Sequence, residues 1–165
     1  MAHLVLLLAV AICAARATGE ITPAEGAAPA DIEYINPPSL LNATELGYTQ
    51  VVTAANVKKT VWISGQTSQD TGGNVVGTTL EEQADTTTAN VKKALEAVGA
   101  TVDNIVHIQV FIANYNPDTD IPTVAKVTKA FEGSNGTFPS AELIGVQSLF
   151  SRELLIEINA VAVLP

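Results

Sequence analysis

The 165-residue sequence has little cysteine, histidine and positive charge, and each scarcity argues against a class of protein. One cysteine cannot form an internal disulfide, and two histidines leave few ligands for a zinc site. Eight Lys and Arg against 17 Asp and Glu give a formal net charge of −9, which argues against binding to nucleic-acid phosphates. No glycine-rich nucleotide loop or Walker pattern opens a helix, so no cofactor is expected. Disulfide scaffolds, zinc proteins and basic nucleic-acid binders are therefore disfavoured.

The N-terminus contains the one long apolar run, LVLLLAVAICAA, which ends at Arg16. The run is shorter than the roughly 20 apolar residues that cross a bilayer, so no stable membrane span is expected. It matches the apolar region of a secretory signal, and Ala15-Arg16-Ala17 supplies the small-x-small cleavage pattern. We therefore predict a signal peptide over 1–17 and a secreted protein; the alternative is a short N-terminal helix. Cleavage would remove Cys13 and Arg16.

A secreted chain gives meaning to two glycosylation sequons, which begin at Asn42 and Asn135. Both lie among turn-forming residues, where a glycan can be carried. Residues 18–33 are rich in Ala, Pro and Gly and are predicted to be a flexible lead-in. The remaining residues, 34–165, are expected to form one domain.

The spacing of apolar residues predicts two helices and about six strands. Three-to-four spacing indicates helices over Leu80–Val98 and Asp120–Phe131, whereas strict alternation indicates a strand over Asn104–Ala113. Further strands are predicted from β-forming runs at 51–55, 60–64, 75–76, 143–146 and 154–164. This order predicts an α+β fold in which one layer of helices covers one face of a sheet.

The helix ends carry recognisable signals. Thr79 with Glu82 fits a capping box, and Gly99 is placed to stop the first helix. Asp120 is predicted to be the N-cap of the second helix, with Pro122 in its first turn.

Two patterns resemble functional sites but have plainer interpretations. Polar residues at every second position from Asn114 to Asp120 resemble a calcium loop, but they lack its glycine and its final glutamate. A polar turn that caps the second helix is favoured, and no metal site is expected. His107, the only histidine that signal cleavage would leave, lies in mid-strand and is interpreted as a partly exposed or interface residue.

Glu157 is the candidate with the most chemical interest, since it interrupts an otherwise apolar strand, and Asn159 follows it on the same face. A carboxylate there lies either on a solvated face or in a cleft where burial favours a general base. The pattern alone leaves both open, with the solvated face favoured.

Several stretches, in order, resemble the reactive-intermediate deaminase (Rid, YjgF-type) family over about Tyr34 to Pro165. The matching segments are GYTQ at 47–50, VWISGQ at 61–66, EEQ at 81–83, NVKKALEAVGA at 90–100, DNIV at 103–106, VFI at 110–112, FP at 138–139 and IEINAVAV at 156–163. Each segment is weak alone, but their order along about 130 residues makes the resemblance specific.

The resemblance implies a chorismate-mutase-like fold, a homotrimer and small-molecule clefts between subunits. Active members of the family hydrolyse enamines and imines to keto acids and ammonia. Their site residues, carried over by position, correspond here to Tyr48, Ser64 and Glu157, with the glutamate holding the attacking water.

Two positions depart from the family pattern. Ala141 stands where the deaminases have an arginine that clamps the substrate carboxylate, and Ala125 stands where they have an asparagine. Loss of the arginine removes a bidentate, charge-assisted contact. The chain instead resembles the branch with a Gly-Val-x-x-Leu-x-x-x-Glu-Leu segment, Gly145 to Leu154, which contains Arg152. A solvated loop arginine is the favoured interpretation of Arg152, with entry into the cleft as the alternative.

The residues thus leave two hypotheses. The first is a trimer that binds a small ligand and has little or atypical activity. The second is a hydrolase of a small non-carboxylate imine, with Glu157 activating water and Tyr48 and Ser64 orienting the substrate. Ribonuclease activity fits poorly with the acidic charge.

Overall fold

A computed structural model of the chain describes residues 30–165. The predicted signal peptide and residues 18–29 of the predicted lead-in lie outside this range. Within it, the elements in chain order are β1 (Asp31–Ile35), β2 (Val51–Ala55), β3 (Lys59–Thr67), α1 (Leu80–Glu96), β4 (Ile105–Ala113), α2 (Pro117–Ala130), β5 (Ser140–Val146) and β6 (Ile156–Leu164). No helix among these residues is long and apolar enough to cross a membrane.

The six strands of the described range form two sheets, not the single sheet expected. Four strands pair in the order β3-β6-β4-β5, and β1 and β2 form a separate antiparallel ribbon. β6 runs antiparallel to both of its neighbours, whereas β4 and β5 are parallel. Parallel strands need a crossover, which α2 supplies between β4 and β5. Because β1 begins at Asp31, the last residues of the predicted lead-in belong to this ribbon.

Both helices pack on one face of the four-stranded sheet, as predicted. α1 contacts β3, β6 and α2. Their apolar stripes and the facing strand positions form one buried cluster that includes Val91, Leu95, Ile108, Val127, Phe131 and Ile158. Burial of each such side chain contributes roughly 1.5–3 kcal/mol, so this face holds the domain together.

The first helix begins at Leu80, as the sequence predicts, and ends at Glu96, two residues before the predicted end at Val98. The Thr79 hydroxyl accepts from the Glu82 amide, and the Glu82 carboxylate accepts from the amides of Thr78 and Thr79. These hydrogen bonds, the Thr78 amide first, hold the pKa of Glu82 below its usual range. The cap therefore stabilises the helix at neutral pH and weakens as the pH falls through that lowered pKa. Gly99, at φ 75°, follows the helix end.

The second helix begins earlier than predicted. Asn116, not Asp120, is the N-cap, and its side chain accepts from the Asp118 amide at 3.0 Å. Pro117 takes the first helical position, where its fixed φ suits the helix and its missing N–H would have had no partner anyway. Asp120 instead accepts from the Asn116 amide at 2.8 Å, and Pro122 lies inside the helix.

Two predicted strands are also corrected. Val75 forms only an isolated bridge with Gln69, and the turn between them is closed by the Asp70 carboxylate, which accepts from the amides of Gly72 and Asn74. β6 begins at Ile156 instead of Leu154, since the residues before Ile156 belong to a loop held by Gln83.

Gln83 is a buried polar side chain that ties this loop to α1. It is 1% exposed. Its amide nitrogen donates to the carbonyl oxygens of Gly77 at 3.2 Å and Glu153 at 2.8 Å, and its oxygen accepts from the Leu155 amide at 2.8 Å. Both sides of the fully buried Leu154 are therefore fixed by one side chain.

Replacing Gln83 by Met should lower the free energy of unfolding by roughly 2–4 kcal/mol, because two backbone groups of the loop lose their partners inside the protein. Urea denaturation followed by circular dichroism measures this change. Glu81→Met on the same helix is the control: Glu81 is exposed and pairs with Lys126 at the surface, so its loss should cost about 1 kcal/mol or less. Equal effects of the two substitutions would contradict the assigned role of Gln83.

Candidate functional site

The face of the four-stranded sheet opposite the helices carries the polar and apolar side chains that the core does not use. Alternate residues of β4 and β6 point away from the buried cluster. We call this the helix-free face; its residues are Trp62 and Ser64 on β3, Glu157, Asn159 and Val161 on β6, His107, Gln109 and Phe111 on β4, and Ser140, Glu142 and Ile144 on β5.

Strand register arranges these residues in rows across the sheet. Val161 lies between Trp62 and His107, and Ser140 follows on the edge strand. In a neighbouring row, Asn159 lies beside Gln109, which donates to Glu142 at 2.9 Å. The indole of Trp62 is 75% exposed in one chain, and the buried Asn159 side-chain oxygen has no hydrogen-bond partner within the described residues. The helix-free face therefore exposes an apolar side chain and contains a buried hydrogen-bond acceptor that has no partner within the described residues.

β3 carries an irregularity between Ile63 and Gln66, a segment that includes Ser64, and Thr67 beyond it pairs with Glu157 of β6. Such a bulge re-aims the chain and is common beside functional sites. Gly65, at the bulge, lies directly beneath the Glu157 side chain: a Cβ there would be 2.6 Å from the carboxyl carbon. A side chain at position 65 would force the Glu157 carboxylate out of its present place, where it is half-buried against the strand that also carries Ser64.

Tyr48 lies at the other edge of the sheet, in the segment after a 3₁₀ turn at Thr44–Leu46. Its neighbour Thr49 donates from its amide to Pro139 at 3.1 Å and from its hydroxyl to Phe138 at 2.7 Å. Gly47, at φ 81°, packs so closely on α2 that a Cβ would lie 2.8 Å from Cβ of Thr128. The Tyr48 segment is therefore fastened to the start of β5 and to α2.

The site residues predicted from the sequence thus form two separate groups in one chain. Tyr48 is anchored beside β5, whereas Ser64 lies on β3, at the opposite edge in the strand order β3-β6-β4-β5. Three strand spacings of about 4.8 Å separate these edges by about 14 Å. One small molecule cannot contact both groups through short hydrogen bonds within a single chain.

Ala125 and Ala141, the two positions predicted to depart from the family pattern, both lie on the Tyr48 side. Ala125 is exposed and, with Gly47, Thr128 and Phe138, lines a depression of about 370 Å³. Ala141 pairs with Ile108 and packs against the buried cluster, so its methyl group adds to the core.

His107 makes the contact expected of a structural residue. Its Nδ1 lies 3.0 Å from the Ser140 hydroxyl, which itself donates to the Val106 carbonyl at 2.9 Å. Because the hydroxyl proton is used there, Nδ1 is the donor to Ser140 and does not act as a base toward it.

Three further sequence expectations concern the turn from Asn114 to Asp120, a metal site and Arg152. The turn from Asn114 to Asp120 caps α2, as interpreted from the sequence. Residues 30–165 contain no cluster of three or more His, Cys, Asp or Glu side chains placed to hold a metal ion. Arg152 is exposed in the loop between β5 and β6 and lines two depressions at the end of the sheet.

Sequence reasoning missed two residues that shape this region, Gly65 and Gln83. VWISGQ did contain a signal for the first, since a glycine within a strand often marks a bulge or a close approach. No sequence pattern indicated the role of Gln83, because its hydrogen-bond partners Glu153 and Leu155 are backbone groups distant in sequence.

Comparison with known proteins places the fold among characterised relatives. A family model described as Endoribonuclease L-PSP matches residues 41–164. A protein of Dermatophagoides farinae named 2-iminobutanoate/2-iminopropanoate deaminase is 31% identical over 118 residues, which cover 71% of this chain and 85% of that protein. The structure of YyfB from Yersinia pestis, a Rid-family protein of unknown function, has 30% identity and a TM-score of 0.75 over 80% of this chain and 98% of its own. The structure of E. coli TdcF with bound serine has 29% sequence identity and a TM-score of 0.55, and the match covers 64% of this chain and 81% of TdcF. The predicted α+β fold class is confirmed.

The close approach of Gly65 and Glu157 can be tested by a double-mutant cycle. Gly65→Ala alone should lower the free energy of unfolding by roughly 1–3 kcal/mol, because the new methyl group displaces the carboxylate. In a Glu157→Ala background the same substitution should cost less than about 0.5 kcal/mol, since the clashing atoms are gone. Additive effects in denaturant unfolding would show that the two side chains do not compete for this space.

Proposed function

Because the chain belongs to the Endoribonuclease L-PSP family, also called the YjgF/Rid family, we propose that it forms a homotrimer with small-molecule clefts between its subunits. The separation of Tyr48 from Ser64 and Glu157 within one chain is the observation that carries this proposal. Two edges about 14 Å apart in one subunit can meet when a second subunit packs on the helix-free face. The exposed Trp62 indole and the unpartnered Asn159 oxygen lie on that face and would be covered by such packing.

We propose further that the trimer binds a small ligand and has little or atypical deaminase activity. The relative from D. farinae is named a deaminase of 2-iminobutanoate and 2-iminopropanoate, which carry a carboxylate. At Ala141 this chain has a methyl group packed on the core, which cannot hold a carboxylate. Charge-assisted hydrogen bonds are worth roughly 1.5–3 kcal/mol each, so a ligand that depends on an arginine at this position would bind at least tenfold more weakly.

Binding of a small molecule is favoured over binding of RNA, despite the description of the family model. A formal charge of −9 repels a phosphate backbone, and Lys126 and Lys129 on α2 are already paired with acidic side chains. TdcF, a relative solved with bound serine, provides a precedent for a ligand of this size.

Glu157 supports a second function, hydrolysis of a small non-carboxylate imine. Its carboxylate is held over Gly65 beside Ser64, where it could accept a proton from a water molecule. The water oxygen would attack the imine carbon and the nitrogen would leave as ammonia, giving a carbonyl product. Tyr48 of a neighbouring subunit and Ser64 would orient the substrate.

Secretion remains a proposal that rests on the N-terminal sequence. Asn42 and Asn135, the proposed glycan carriers, are both exposed, so neither would need to unfold the domain to accept a glycan. Release of the protein into the medium with residues 1–17 removed, shown by N-terminal sequencing, would support it.

Trimer formation predicts that Trp62→Glu produces a monomer, because a charge would be buried in the interface. Sedimentation velocity measures the mass. Ile121→Glu on α2 is the matched control, since Ile121 is 50% exposed on the helical layer and should leave the mass unchanged. A wild-type protein that sediments as a monomer would contradict the proposal.

Activity can be tested by generating imines with an amino-acid oxidase and following their decay in the presence of the protein. We expect little or no acceleration with imines from alanine or 2-aminobutyrate, with the D. farinae relative as the positive control. Acceleration with amidated amino acids that disappears in Glu157→Gln would establish the hydrolase function instead. Strong acceleration with the carboxylate imines would contradict the inferred effect of Ala141.

A further inference from the structure

A polar depression of about 490 Å³ lies at the end of the sheet where β4 and β5 finish. Asn114 follows β4, Gln147 and Ser148 follow β5, and Arg152 comes from the loop before β6. Ala113, Leu154 and Leu155 form its apolar floor. No acidic side chain lines it, although the protein as a whole is strongly acidic.

The four polar side chains of this depression point to an anionic ligand. Within residues 30–165, Arg152 has no acidic partner within 4.0 Å, whereas Lys126 and Lys129 both form ion pairs. No hydrogen bond within the described residues uses the side chains of Asn114, Gln147 or Ser148. A guanidinium, two amides and a hydroxyl thus present N–H and O–H donors to one space.

The loop that carries Arg152 is held in place on both of its sides. The side chain of Gln83, which is buried in α1, forms hydrogen bonds with the backbone of Glu153 and Leu155, close after Arg152 in the chain. On the other side, the Asn114 amide donates to Val146 at 2.7 Å, and Asn114 adopts a left-handed conformation with φ 52°. Non-glycine residues in this region are uncommon and concentrate at functional sites. The backbone on both sides of the depression is therefore held in place.

The depression continues the helix-free face. Ala113 pairs with Leu155 through a backbone hydrogen bond of 3.0 Å, and the next pair on the same face of these strands is Phe111 with Glu157. Leu155, on the floor of the depression, therefore lies two residues, about 7 Å, along the chain from Glu157.

We propose that Arg152, with Asn114, Gln147 and Ser148, forms a binding site for a small aliphatic monocarboxylate. A planar guanidinium matches a carboxylate with two parallel hydrogen bonds, and the apolar floor of Ala113, Leu154 and Leu155 accommodates a short alkyl chain. One positive charge balances one negative charge. A phosphate dianion would retain an uncompensated charge in a protein of net charge −9, so it is disfavoured.

The site lies within one chain and differs from the position lost at Ala141, which packs on the helix side of β5. It therefore stands whether or not the trimer forms and whether or not Glu157 catalyses a reaction. Failure of carboxylate binding at Arg152 would leave the proposed function intact, and the reverse also holds.

Arginine-selective ¹⁵N labelling tests the proposal directly. The sequence contains only Arg16 and Arg152, so the full chain gives at most two side-chain signals, and Arg152→Gln assigns one of them. The purified protein is titrated with propanoate, with its neutral analogue propanamide, and with inorganic phosphate at the same ionic strength. We expect propanoate to shift the Arg152 Nε–Hε signal saturably and propanamide to leave it unchanged.

Variants separate a specific site from a general charge effect. Propanoate affinity, measured by calorimetry, should fall about tenfold or more in Arg152→Gln and less in Arg152→Lys, which keeps the charge but loses the two-point contact. Lys58→Gln removes the same charge from the turn before β3, at the other end of the sheet, and should leave the affinity unchanged.

Three results would overturn the proposal: no saturable shift with propanoate, an equal shift with propanamide, or equal losses in Arg152→Gln and Lys58→Gln. Phosphate that binds more tightly than propanoate would overturn the assignment of a monocarboxylate. Arg152 is exposed and makes no ion pair within the described residues, so loss of binding in Arg152→Gln would not reflect unfolding.

Discussion

A four-stranded sheet has two faces, and the helices of the described chain cover only one of them. The core of this domain depends on that arrangement, since α1 and α2 bury every second residue of the central strands. The other face is left with an exposed indole at Trp62 and a buried, unpartnered oxygen at Asn159. Such a surface is unfavourable in water, because apolar area and desolvated polar atoms both cost free energy. The same face carries Ser64 and Glu157, so the self-association that we propose would also place candidate chemistry at the interface.

The positions that the family resemblance singles out follow the same division. Ser64 and Glu157, with Gly65 beneath the carboxylate, lie on one side. Ala125 and Ala141, predicted from the resemblance to replace an asparagine and an arginine, lie on the Tyr48 side. The cleft that we propose between these two halves would have a carboxylate and a hydroxyl but no arginine at position 141. Arg152, held by Gln83 at the end of the same face, is the cation that the described chain offers nearby.

Much of the fold could be predicted from sequence because the responsible signals are local. Alternation over β4, the Thr79–Glu82 capping box and the helical stripe of α1 each act within a few residues. The predicted start of α2 was wrong because Asn116 and Asp120 are both good N-cap residues. Asn116 is the N-cap because Pro117 after it suits the first helical position. The division of the strands into a sheet and a ribbon depends on long-range pairing, which no local pattern encodes.

The site was only partly accessible for the same reason. Glu157 could be singled out as a carboxylate in an apolar strand, but its place over Gly65 depends on the pairing of β6 with the bulged strand β3, which is distant in sequence. Tyr48, Ser64 and Glu157 came from family resemblance, which could not show that one chain separates them. The most direct test of that separation is a cysteine cross-link between Tyr48→Cys and Ser64→Cys in a Cys13→Ser background, made with a short bismaleimide and analysed by mass. Such a reagent spans a ligand-sized cleft, which a disulfide cannot do because it requires Cα atoms within about 7 Å. We expect covalent dimers and trimers linked between positions 48 and 64 of different subunits, whereas a link within one chain, or none at all, would contradict the proposed interface.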